Sequence, residues 1–192
     1  MSELVEIDAK DQRQNNYVIR EYDTGLELEP YFRDACSECR HVNLFAAIRE
    51  FGIPETQRVR VRRGTDFYSS SDGFTGVSAR MKDLLEENAV GGLNYYAMPN
   101  DPYFLIEPTH SLEIDFLKSH FNPDPPCPVC QHRHVYGLLK RSDLPAELPT
   151  REFVSVRDFG RRPDHRFYAD KDVISLLKKA GLKGITYCKV SE

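Results

Sequence analysis

Two stretches of the sequence decide the fold: SARMKDLLEENAVGGLNYYAM at residues 78–98 and DKDVISLLKKAGLKGITYCKV at residues 170–190. They align without a gap at a shift of 92 positions. Identical residues recur in the same order in both stretches. The pairs are Leu84-Leu85 with Leu176-Leu177, Gly92 with Gly184, and Tyr95 with Tyr187. This ordered self-similarity predicts two related units within the chain.

Each stretch predicts an amphipathic helix. Apolar residues recur at positions i, i+4, i+7 and i+8, which is the pattern of one buried helix face. These residues are Val77, Met81, Leu84 and Leu85 for the first stretch and Ala169, Val173, Leu176 and Leu177 for the second, where Val77 and Ala169 come directly before the quoted residues. Ser78 and Asp170 occupy the matching position before each helix, and both residue types favour the N-cap. Gly181 suits the left-handed residue that ends the second helix.

Short strands are predicted on both sides of each helix, because β-forming residues are enriched there. The four predicted strands cover 57–62, 93–98, 152–156 and 185–190. The fold class that follows is α+β, with two halves that each contain a CxxC turn, a strand, a helix and a strand. We expect the halves at 20–100 and 105–192, within a single two-lobed domain over 1–192. Asp66-Phe67 and Asp158-Phe159 also match at the shift of 92 positions.

Four of the five cysteines lie in two CxxC pairs, Cys36 with Cys39 and Cys127 with Cys130. The two pairs are 91 positions apart, close to the spacing of the repeat. Two such turns supply the four thiolates that a closed structural zinc site prefers. The sequence therefore predicts a zinc ion shared by the two halves. Two alternatives stay open: reduced thiols packed in turns, and an ancestral metal site that this chain has lost.

Other residues near the pairs are secondary candidates for metal binding. His41, His132 and His134 lie beside the cysteines as substitute ligands or as polar neighbours. Cys188 stands alone in an apolar segment and is predicted to be a buried small hydrophobic residue.

The composition is that of a globular protein. Of the 192 residues, 40% are hydrophobic and 29% are charged, which argues against a disordered chain and a coiled coil. No apolar run of about 18 residues is present, and the N-terminal residues lack the pattern of a secretory signal, so we expect a cytoplasmic protein without a membrane span. The sequence contains no recognised nucleophile, zinc-protease or P-loop motif, and we expect no enzymatic activity.

A segment in which arginine alternates with valine is the main candidate for partner binding. Arg58, Arg60 and Arg62 alternate with valines and would share one face of the predicted strand 57–62. One interpretation is a face that binds phosphate or an acidic partner, and the other is a solvated face paired with nearby carboxylates. The first interpretation gives an alternative function, a zinc-dependent nucleic-acid-binding regulator. The net charge of −4 argues against general nucleic-acid binding.

The chain resembles the double-CXXCG-motif family of bacterial, myxobacterial-type immunity proteins. The resemblance rests on Cys36, Cys39, Cys127, Cys130 and the terminal segment ADKDVISLLKKAGLKGITYCKV. In that family a glycine follows the second cysteine of each pair, whereas Arg40 and Gln131 stand there in this chain. Glycine at this point permits a positive φ in the turn. The resemblance implies a non-catalytic, zinc-stabilised protein that binds and neutralises a cognate protein toxin.

Overall fold

The computed structural model describes residues 4–10, 29–33, 35–39, 43–54, 61–70, 73–112, 122–123, 125–131, 135–136, 140–145, 149–156 and 166–190. Over these residues the chain has an α+β fold, as the sequence predicts.

Two strand–helix–strand units occupy the two quoted stretches. The first unit contains β3 (Thr75–Ser78), α3 (Ala79–Glu87) and β4 (Leu93–Ala97). The second contains β10 (Phe167–Asp170), α4 (Lys171–Lys179) and β11 (Ile185–Lys189). Every boundary in the second unit lies 92 positions after its counterpart in the first. The remaining elements are β1 (Leu4–Ala9), α1 (Glu29–Phe32), α2 (Leu44–Phe51), β2 (Phe67–Ser69), β5 (Tyr103–Pro108), β6 (Ser111–Leu112), β7 (Asn122–Pro123), β8 (Val135–Tyr136) and β9 (Phe153–Val156).

The predicted N-caps of α3 and α4 are confirmed. The side chain of Ser78 accepts a hydrogen bond from the backbone N–H of Met81 at 3.2 Å. The carboxylate of Asp170 accepts one from the backbone N–H of Val173 at 2.9 Å. Both contacts satisfy amide groups that the first turn of a helix leaves without partners. The apolar face that follows each cap packs into the core as predicted, although Leu84 and Leu176 are only partly buried.

The ends of the two helices use the same backbone conformation. Gly181 follows α4 with a φ of 63°, which confirms the prediction of a left-handed residue there. The position 92 residues earlier is Ala89, which has a φ of 51°. A residue other than glycine is destabilised in this region because its Cβ approaches the neighbouring carbonyl oxygen. The first helix therefore ends with the same geometry as the second but with a less suitable residue.

The strands form two main sheets with corresponding order. One sheet has the order β2-β3-β5-β4, and the other has the order β9-β10-β1-β11 with β6 added beside β9. One interior strand of the second sheet, β1, comes from the N-terminal region, whereas its counterpart β5 follows β4 directly. The registers agree: Tyr95 lies opposite Ile106, and Tyr187 lies opposite Ile7. The two sheets thus share an arrangement in space but differ in chain order.

One apolar core joins the two units. It combines residues of both helices with residues of both sheets. Its fully or almost fully buried members include Met81 and Leu85 from α3, Val173 and Leu177 from α4, and Phe67, Phe153 and Phe167 from the strands. A second core lies under α2 and is built on Leu44, Phe45, Ile48, Tyr68, Phe74 and Leu105. Because β2 contributes Phe67 to the first core and Tyr68 to the second, it is buried on both faces.

The two units also meet through reciprocal backbone contacts. Phe67 and Phe153 hold corresponding places, because they pair with Val77 and Ala169, which are 92 positions apart. The backbone N–H of Phe67 donates to the carbonyl oxygen of Lys183 at 3.2 Å. That of Phe153 donates to the carbonyl oxygen of Gly91 at 3.0 Å. Lys183 and Gly91 are again 92 positions apart.

A glycine follows each of these carbonyl groups. Gly92 and Gly184 both have a φ of 86°. A Cβ on Gly92 would overlap the carbonyl oxygen of Phe153, and a Cβ on Gly184 would overlap that of Phe67. Each half therefore presses a glycine against the backbone of the other half. The repeated glycine found in the sequence is required by this close approach.

Several strand predictions can be compared with the structure. The predictions at 93–98, 152–156 and 185–190 correspond to β4, β9 and β11. The prediction at 57–62 is wrong where the structure describes it, because Val61 and Arg62 are irregular. The first strand of this region is β2, which is followed by β3 and α3. Its Phe67 and Tyr68 are buried on opposite faces and give no polar alternation. Asp158-Phe159, which the sequence matches with Asp66-Phe67, lies outside the described residues, and the strand registers place Phe153 at the position equivalent to Phe67.

Cys188 is exposed on β11, so the prediction that it is buried is wrong.

None of the helices in the described part of the chain has the length and apolar character that a bilayer crossing requires.

Candidate metal centre

The two CxxC pairs lie in turns outside the sheets. The first pair lies in the turn between α1 and α2. The helix that follows begins at a well-formed cap, because the Asn43 side chain accepts from the backbone N–H of Ala46 at 3.0 Å. The second pair lies in a turn that closes when the backbone N–H of Gln131 donates to the carbonyl oxygen of Cys127 at 2.9 Å.

The structure brings the four cysteines of the two pairs together. The sulfurs of Cys36 and Cys127 are 3.7 Å apart, and those of Cys39 and Cys130 are 3.5 Å apart. All four sulfurs lie within 4.8 Å of one another. Four sulfurs placed about 2.3 Å from a central zinc ion would be separated by about 3.8 Å. The cluster therefore has dimensions that suit a tetrahedral metal ion.

The closest sulfurs of the cluster are not joined by disulfides. A disulfide requires two sulfurs about 2.05 Å apart, and both measured distances are well above that value. Each of these two short sulfur–sulfur distances joins residues 91 positions apart and so connects one half of the chain to the other. The four residues form a possible metal site, as the sequence predicts.

Backbone amides prepare the inner sulfurs to carry negative charge. The N–H groups of Cys39 and Glu38 donate to the sulfur of Cys36 and lower the pKa of its thiol to about 6, although burial acts in the opposite direction. The N–H groups of Cys130 and Val129 donate to Cys127 in the same way and lower its pKa. Metal binding requires deprotonated cysteine, so these contacts favour the form that binds.

The burial of the cluster is graded. Cys36 and Cys127 are 9% and 8% exposed. Cys39 is half-buried and Cys130 is exposed. The cluster therefore has an inner pair of sulfurs (Cys36 and Cys127) and an outer pair (Cys39 and Cys130).

Gln131 holds the backbone conformation for which the resembled family uses glycine. Its φ is 60°, in the left-handed region. The turn therefore forms without glycine, at the energetic cost of a side chain in that region. The equivalent residue of the first pair, Arg40, lies outside the described residues.

The remaining candidate site residues are only partly covered. His41, His132 and His134 lie outside the described residues, as do Arg58 and Arg60. Arg62 is exposed and belongs to no strand. The structure thus assembles the predicted cysteines, and of the predicted arginine face it describes Arg62 alone.

The sequence does not predict a polar cluster beside α2 that is formed by Arg49, Tyr96 and Glu107. Nη1 of Arg49 donates to both carboxylate oxygens of Glu107 at 2.7 Å. The hydroxyl of Tyr96 donates to the same carboxylate at 2.5 Å. These contacts fix the helix that follows the first CxxC turn to the sheet. Arg49 is 47 positions from Tyr96 and 58 positions from Glu107, so no local sequence pattern predicts these contacts.

Asp66 has a structural role. It is buried, and its carboxylate accepts from the hydroxyl of Ser78 at 2.7 Å and from the backbone N–H of Lys183 at 2.8 Å. The residue thereby ties the start of α3 in the first half to the loop before β11 in the second half.

No protein-family model matches the chain, and no curated protein matches it. The cysteine cluster and the relation between the two units are therefore the features on which a function is argued.

Proposed function

We propose that Cys36, Cys39, Cys127 and Cys130 bind one structural zinc ion that clasps the two halves of the chain. The observation that carries the proposal is the distance between sulfurs, which is close to the edge of a zinc–thiolate tetrahedron. Four thiolates complete the coordination shell and leave no position for a reacting water. A bound ion in such a site stabilises the fold, since it binds the folded chain and not the unfolded one.

We also propose that the two halves arose by duplication. The matching boundaries, registers and reciprocal glycine contacts support this origin. The closest sulfur pairs join equivalent positions of the two halves, Cys36 with Cys127 and Cys39 with Cys130. A zinc ion bound there would lie between equivalent residues of the two halves. The long separation of the CxxC pairs in sequence then has a simple physical reason.

For the biological role we propose a non-catalytic, cytoplasmic protein that binds and neutralises a cognate bacterial protein toxin. The support is the resemblance of the four cysteines and the terminal segment to the double-CXXCG-motif immunity proteins. The zinc clasp would hold the two halves in a fixed relation and so keep the binding surface rigid. We do not propose nucleic-acid binding, because the predicted strand that would display Arg58, Arg60 and Arg62 is absent where its residues are described.

Zinc binding is tested by elemental analysis of protein purified without chelator. We expect about one zinc per chain in the unaltered protein and in Cys188→Ser, whose cysteine lies outside the cluster. Cys36→Ser and Cys127→Ser should each lose nearly all zinc, and the double variant should be no less stable than either single variant. Zinc-free unaltered protein would refute the clasp. Additive losses of stability would indicate separate sites.

The toxin-binding role is tested in cells and by purification. The chain is co-expressed with a toxin encoded by a neighbouring gene, and growth and complex formation are measured. We expect growth only when the chain is present, together with a stable complex on affinity purification. Growth arrest despite normal expression of the chain, with no complex, would refute this role and leave the zinc clasp standing.

A further inference from the structure

The outer sulfurs of the cluster differ from the inner ones in their access to solvent. Cys130 is exposed and Cys39 is half-buried, whereas Cys36 and Cys127 are buried. Val129, next to Cys130, is 63% exposed and does not shield it. A small reagent in water therefore reaches the outer pair before the inner pair.

The outer sulfurs are also the closer pair. They are 3.5 Å apart, compared with 3.7 Å for the inner pair. A disulfide between them requires the two sulfurs to approach each other by about 1.5 Å. Such a bond would join the two halves of the chain, whereas a disulfide within either CxxC pair would not.

We propose that the clasp is a redox switch, in which a hydroperoxide converts Cys39 and Cys130 into a disulfide that crosses between the halves. The release of metal in this scheme rests on the proposed zinc site. The switch would replace a metal link between the halves with a covalent one. Two thiolates would remain, and two are too few to fill a tetrahedral shell.

The chemistry of the step balances. The Cys130 thiolate attacks one oxygen of the peroxide, which breaks the O–O bond, leaves a sulfenic acid on the sulfur and releases hydroxide. The Cys39 thiolate then attacks that sulfur, forms the S–S bond and displaces a second hydroxide. The two sulfurs lose two electrons, the peroxide gains them, and two protons from solvent convert the hydroxides to water. A dithiol reductant reverses the reaction.

The experiment uses Cys188→Ser, because the exposed Cys188 would otherwise compete for the oxidant. Reduced protein is treated with less than one equivalent of hydrogen peroxide, and released zinc is measured with a chelating dye. Trypsin places Cys36 and Cys39 together in peptide 34–40 and Cys127 and Cys130 together in peptide 119–133. A disulfide between the halves joins these peptides, and a disulfide within a pair leaves them separate.

We expect the joined peptides as the first product, with fragmentation assigning the bond to Cys39 and Cys130. One zinc ion should leave for each disulfide formed, and dithiothreitol should restore both thiols and zinc binding. The proposal is overturned if the first product is Cys36–Cys39, Cys127–Cys130 or a sulfinic acid without a disulfide. Reduced protein that holds no zinc would refute the clasp itself, and the peptide map of the same sample would still decide which sulfurs pair.

Discussion

Replacement of Gly184 by alanine would test the close approach of the two halves. The new Cβ would meet two obstacles: a φ of 86°, and the carbonyl oxygen of Phe67. The unfavourable φ costs about 1 kcal/mol. The overlap with backbone adds about 1–3 kcal/mol, because a carbonyl group cannot rotate away as a side chain can. The total expected loss of unfolding free energy is about 2–4 kcal/mol.

Gly64 offers a matched control for the cost of the unfavourable φ. It has a φ of 80°, and a Cβ there would meet nothing within 4 Å. Gly64→Ala should therefore cost only about 1 kcal/mol. In a chain of this size, 1 kcal/mol corresponds to about 3 °C in Tm.

Thermal and urea unfolding followed by circular dichroism measure the difference. We expect a Tm lower by about 9 °C for Gly184→Ala and by about 3 °C for Gly64→Ala. Gly92→Ala should behave like Gly184→Ala, because it meets the backbone of Phe153 in the corresponding way. Equal effects of Gly184→Ala and Gly64→Ala would refute the reasoning that the halves are packed at this glycine.

Three further predictions concern local features of the chain. Ala89→Gly should stabilise the fold by about 0.5–1 kcal/mol, because Ala89 has the positive φ that Gly181 has after the second helix; a lower Tm would contradict this. Gln131→Gly should tighten zinc binding about two- to fivefold in a competition assay with a chelating dye, since its φ is 60°, and weaker binding would contradict the assigned strain. Burial raises the pKa of Tyr95 to about 12, so its contribution to stability should be complete below pH 10 and decline between pH 10 and 12. Tyr95→Phe should flatten the alkaline part of the stability profile, and an unchanged profile would contradict the assignment.

The helices α3 and α4 and their caps could be predicted because their signals are local. The capping side chains of Ser78 and Asp170 lie within three residues of the amides that they bind. The cysteine cluster was predictable for a different reason, because few arrangements other than a metal site use two CxxC pairs in this way.

Other features could not be predicted because their signals are not local. The strand β1 lies between β10 and β11, and its partners are more than 150 positions away. The sequence pattern does not predict the strand β2, because Phe67 and Tyr68 are buried in different cores and do not alternate with polar residues. The alternation at Arg58, Arg60 and Arg62 was instead interpreted as a strand, since a period of two satisfies the pattern without showing that a partner strand exists.

The position of β1 has a consequence for the order in which the protein folds. A ribosome makes β1 first among the described strands, and makes its two neighbours in the sheet, β10 and β11, last. The sheet of β2, β3, β4 and β5 draws all its strands from 67–108 and can assemble while synthesis continues. In the other sheet, the pairing of β1 with β10 and β11 closes a loop of more than 150 residues, so it can form only after these strands have been made. Until then the apolar residues of β1 have no partner strands, and the nascent chain carries an unpaired segment of the kind that chaperones recognise.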